Sequence, residues 1–148
     1  MEKYLLLLWS LFCTSLATKA QDKEIHEVLK GTIGGKNAIT MFLYYKPHPC
    51  DGHLMLEGIY KYDKTPGDDS WILLNIESGE LGRHLMVEKD FTGVLFLQRK
   101  GNGFEGSWID PDGKHVLPVE LKQKTLSEKE MKRYIDIYDE TNHRYNDC

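Results

Sequence analysis

No run of Lys or Arg in this chain exceeds two residues, and 148 residues carry a net charge of -4. A protein led to nucleic acid by electrostatics needs a concentrated basic surface, so the sequence argues against that class. Cysteine is scarce, with only three. No G-x-S-x-G, P-loop or dinucleotide-binding glycine pattern is present, so the common nucleophile and phosphate devices are missing. Beyond the first twenty residues there is no long apolar run, and no further stretch has the length a membrane-spanning helix needs. What remains is ordinary: 41% apolar and 28% charged. Such a composition argues against wholesale disorder, and the length suits one domain.

The opening segment is distinctive. Met1-Glu2-Lys3-Tyr4 leads into Leu5-Leu6-Leu7-Leu8-Trp9-Ser10-Leu11-Phe12, and small residues follow at Ser15, Ala17, Thr18 and Ala20. The apolar stretch is too short to span a bilayer, and the order matches a cleaved export signal. The expected cut lies after Ala20, with Ala17 as the alternative. Cys13 has Phe12 before it where a lipoprotein signal wants a small residue. Export implies a periplasmic or secreted location. Loss of Lys3, Lys19 and Glu2 leaves 19 - 2 = 17 basic and 23 - 1 = 22 acidic residues, a net -5. Cys50 and Cys148 then remain as a pair, and an oxidising compartment would permit a bridge between them. Two unpaired thiols are the alternative.

Between residues 21 and 124 the chain alternates apolar and polar residues in short runs split by turn residues. Eight strands are expected at about 26–33, 38–46, 53–62, 71–77, 83–88, 92–99, 104–109 and 115–121. Gly34-Gly35-Lys36-Asn37, Lys100-Gly101-Asn102-Gly103 and Asp110-Pro111-Asp112-Gly113 mark turns. Short connections imply antiparallel neighbours, and eight meandering strands suffice to close a barrel. A strongly bent open sheet is the alternative. Met41, Tyr60, Phe96, Phe104 and Trp108 are the bulky candidates to fill its interior.

Residues 125–148 change period. Ser127-Glu128-Lys129-Glu130 reads as a capping box, with Leu126 and Met131 as its staple. Met131, Tyr134, Ile135 and Tyr138 follow helical spacing, so an amphipathic helix is expected over about 127–140. It either plugs a barrel end or packs outside the sheet.

Several motifs resemble a family of small secreted bacterial β-meander proteins of unknown function. They are Gly31-Thr32-Ile33-Gly34-Gly35, Gly58-Ile59-Tyr60-Lys61-Tyr62-Asp63, Gly103-Phe104-Glu105-Gly106-Ser107-Trp108 and Asp110-Pro111-Asp112-Gly113-Lys114. The resemblance covers about 28–121 and implies a calycin-like barrel, similar to lipocalins and avidin. No Gly-x-Trp opens the first strand as in lipocalins.

Chemistry-bearing residues are sparse. His48-Pro49-Cys50-Asp51-Gly52-His53 is the densest cluster, but its spacing matches no zinc signature. Asp68 and Asp69 lie in a turn, where solvated acids are expected. No cofactor or metal is implied. Phe42, Tyr44, His48, His53 and Trp71 are the expected binding surface. The resulting expectation is an exported, non-catalytic, inhibitor-like module that binds a protein or glycan of the cell envelope. A carrier of small apolar ligands and a hydrolase using the His48–His53 loop are the alternatives.

Overall fold

The computed structural model describes residues 24–50 and 52–147. The stretch read as an export segment, Cys13 and Cys148 lie outside the described residues, and with them one half of the expected cysteine pair. The elements are β1 (Ile25–Ile33), β2 (Asn37–Pro47), β3 (Leu54–Tyr62), β4 (Ile72–Ser78), β5 (Arg83–Glu88), β6 (Val94–Lys100), β7 (Gly103–Ile109), β8 (Val116–Lys124) and α1 (Glu128–Asn146). Each strand pairs antiparallel with its sequence neighbour, and β1 returns to pair with β8. The sheet is therefore a closed eight-stranded meander barrel, consistent with a calycin-like arrangement, rather than an open bent sheet.

Period-two alternation builds the wall. On β2, Ile39, Met41 and Leu43 turn inward to meet Leu29, Tyr60, Leu74, Met86, Leu95 and Phe104. Each apolar residue so placed leaves water, which is the main term favouring closure. Close strand approach also constrains the wall. A Cβ on Gly106 would sit 2.0 Å from the Phe96 carbonyl oxygen, so only glycine fits there. Phe96 itself departs from expectation. Leu95 and Leu97 are buried inward, and alternation turns Phe96 outward with 48% exposure.

The helix covers the outside of the barrel and plugs neither end. Ile137 and Tyr138 pack on Val28, Phe42, Ile59, Trp71 and Leu73. Ser127 caps it: its Oγ accepts the Glu130 N–H, and Glu130 accepts the Ser127 N–H at 2.9 Å. The helix continues to Asn146 rather than ending near 140. Thr141 is buried and Tyr145 joins the packed stripe, so the apolar spacing carries on past the expected end.

Candidate functional site

The barrel wall is unevenly sewn. β3 pairs with β2 along its whole length, from Ile39·Tyr62 to Pro47·Leu54. β3 and β4 pair only at Gly58·Leu74, Ile59·Leu73 and Tyr60·Ile72. A long polar connection through Pro66 and Gly67 joins these two strands, so no tight turn holds them in register. Past Gly58 and Leu74 they part, and a cleft of about 610 Å³ opens between Leu54–Glu57 and Asn75–Ser78. Leu56, Leu74 and Ile76 line its depth, where alternation points them inward, and Leu54 lies exposed at its mouth. Glu57, Asn75 and Glu77 line its outer lips, with Asn142 and Asn146 of α1 beside them. Tyr138 Oη donates to Glu57, and Lys46 Nζ lies 2.6 Å from the same carboxylate. The Tyr138 contact ties the helix to one lip, and the Lys46 contact ties that lip to β2. Burial and then the Glu57 hydrogen bond push the Tyr138 phenol upward.

His48 and His53 also line the cleft. Their rings stack 4.6 Å apart, His48 N–H donates to the His53 carbonyl at 2.7 Å, and His48 Nδ1 accepts the Cys50 N–H at 3.2 Å. The pair thus shapes the β2–β3 loop. Cys50 is exposed on that loop. Among the described residues no group of three or more His, Cys, Asp or Glu is placed to hold a metal. No helix among them is long and apolar enough to cross a membrane.

The expected aromatic surface does not form as one patch. Phe42 is fully buried and Trp71 is 4% exposed, both under α1. This corrects the expectation for those two: outward sheet residues become core when a helix lies on that face. Tyr44 stays half-buried, stacked on His26 at 4.7 Å and edge-on to Tyr138 at 5.7 Å. Burial, then the Glu24 hydrogen bond, pushes its phenol up to about 12.

A polar cluster inside the barrel, near the cleft end, was not foreseen. Arg99 donates to Glu27 at 2.8 Å and to Tyr45 Oη at 2.6 Å, and its guanidinium lies 4.2 Å from the Phe104 ring centroid. Ser78 Oγ, on the cleft wall, lies 3.0 Å from His84 Nδ1. Burial, and then the Arg99 charge, lowers the His84 pKa. A signal for these residues was in the sequence. Glu27, Arg99 and His84 stand two residues from Leu29, Leu97 and Met86, so they occupy inward positions where an apolar residue is the rule.

Comparison with family models, with curated proteins and with solved structures returns no match.

Proposed function

We propose that this chain is a non-catalytic binding module that holds a protein partner at the β3–β4 cleft. The observation that carries the reading is an open, mixed polar and apolar cleft in the wall of a barrel whose axis is filled. Leu29, Met41, Tyr60 and Phe104 are each at most 1% exposed, which leaves a carrier of apolar ligands little room along the axis. Buried Phe42 and Trp71 are withdrawn from stacking on sugars, which favours a protein over a glycan. Stacked His48 and His53 organise their own loop, which weighs against the hydrolase reading. With residues 1–20 read as an export segment, the partner belongs to the cell envelope or the exterior. The resemblance to small secreted bacterial β-meander proteins points the same way.

The test places a photo-crosslinking residue at Asn75, on the cleft lip, or at Glu105, exposed on β7. Adducts with one envelope protein from the Asn75 position alone are expected. Adducts from neither position, or equally from both, would overturn the reading.

A further inference from the structure

We propose that the cleft takes an extended polypeptide segment as an inserted strand, hydrogen-bonded to both lips. This rests on the reading of the cleft as the partner site and names the chemistry of its occupant.

The argument comes from the direction of backbone groups. Carrying the β3–β4 register onward would pair Glu57 with Asn75, Leu56 with Ile76, Met55 with Glu77 and Leu54 with Ser78, yet pairing stops at Gly58·Leu74. In an antiparallel ladder each residue turns both its N–H and its C=O to one neighbour, alternating along the strand. His48 N–H donates to the His53 carbonyl, and Asp63 N–H to the Ala38 carbonyl. Both bonds lie in the β2–β3 register, so Met55 and Glu57 face β2. Leu54 and Leu56 therefore face the cleft. Gly79 N–H donates to the Arg83 carbonyl in the β4–β5 register, so Asn75 and Glu77 face β5. Ile76 and Ser78 therefore face the cleft from the other side.

Two strand edges thus present N–H and C=O groups across one opening with no strand between them. Open edges of this kind are templates for strand addition. A single extended backbone alternates its own groups to left and right, and so can serve both lips at once. It would run antiparallel to one lip and parallel to the other. Four residues per lip at about 3.3 Å each give a bound core of about four residues. Its side chains would alternate between the apolar depth at Leu56 and Ile76 and the outer rim. On the rim Glu57 is already paired with Lys46 and Tyr138, while Glu77 stands exposed, so the guest position against Glu77 favours Lys or Arg.

A displayed library of random heptapeptides, panned on the protein, supplies the probes. Selected peptides are then resynthesised with one backbone N-methyl at a time. Insertion between two lips uses every amide, so each N-methyl within the core should weaken binding roughly tenfold. On binding, the Leu54, Leu56, Ile76 and Ser78 amides should gain protection from hydrogen exchange, while those of Met55, Glu57, Asn75 and Glu77 should be protected throughout. Leu54→Pro removes one cleft-facing N–H and leaves the β2 ladder intact. It should cost binding a similar factor with an unchanged melting temperature. Sensitivity at alternate positions only would mean pairing with a single lip and would overturn insertion. Cleft binders indifferent to N-methylation would overturn strand pairing while leaving the cleft as the partner site. No cleft-bound peptide together with Asn75 adducts would overturn the peptide occupant alone. Silence in both assays would overturn both readings.

Discussion

Glu88 is a carboxylate only 3% exposed, at the barrel end away from the cleft. It accepts from Tyr60 Oη at 2.5 Å, Trp108 Nε1 at 2.6 Å and Thr92 Oγ1 at 2.6 Å. A buried charge is tolerable only when its lone pairs are used, and here three donors use them. Glu88→Ala would strand the buried Tyr60 hydroxyl and the half-buried Trp108 N–H, while exposed Thr92 turns to water, so it should cost roughly 3 kcal/mol, read from the urea midpoint. Glu88→Gln should cost less, since one amide oxygen still accepts. His84 sets a pH dependence. Its folded pKa is lowered, by burial first, so the unfolded chain takes up a proton before the folded one does. Stability from this group is complete above the ordinary value of about 6.5 and falls as pH drops below it toward the folded value. Urea midpoints should decline through that window, and the decline should be shallower in His84→Gln. An equal decline in the variant would remove His84 as the cause.

The helix is the element whose position decides most. Its cap and stripe were legible in residues 126–138, because capping and helical spacing are local chemistry. Where it docks was not. Phe42 and Trp71 alternate outward just as a solvent-facing residue would, and only the packed helix makes them core. Phe42→Ala should therefore cost about 3–5 kcal/mol, the range for a buried aromatic. A surface role would cost well under 1 kcal/mol, and thermal melts would separate the two. Tyr138→Phe is a subtler test. It keeps the packing and drops the Glu57 hydrogen bond, so a loss of about 1 kcal/mol is expected.

For the whole molecule, the weak seam between β3 and β4 is the distinguishing feature. Closure from β4 round through β8 to β3 is continuous, whereas this seam is joined at one end only. In the protein without a partner, the Leu54, Leu56, Ile76 and Ser78 amides should exchange much faster than those of Met55, Glu57, Asn75 and Glu77. Uniform protection along both strands would mean that the seam is closed in solution.

Composition and alternation by themselves determined the class of this protein. Eight runs of period two, split by turns, are enough to specify strands, their order and their inward faces, because pleat and turn geometry act over a few residues. Met41, Tyr60 and Phe104 were all legible in this way. Phe96 was the exception, since a large ring was read as core although its parity points it outward. Only the tertiary structure decided which outward face the helix covers, that β1 meets β8, and that the β3–β4 ladder stops after three pairs. Each of these depends on contacts between residues far apart in the chain. The cleft lies in that second class, because an unpaired strand edge has the same sequence as a paired one.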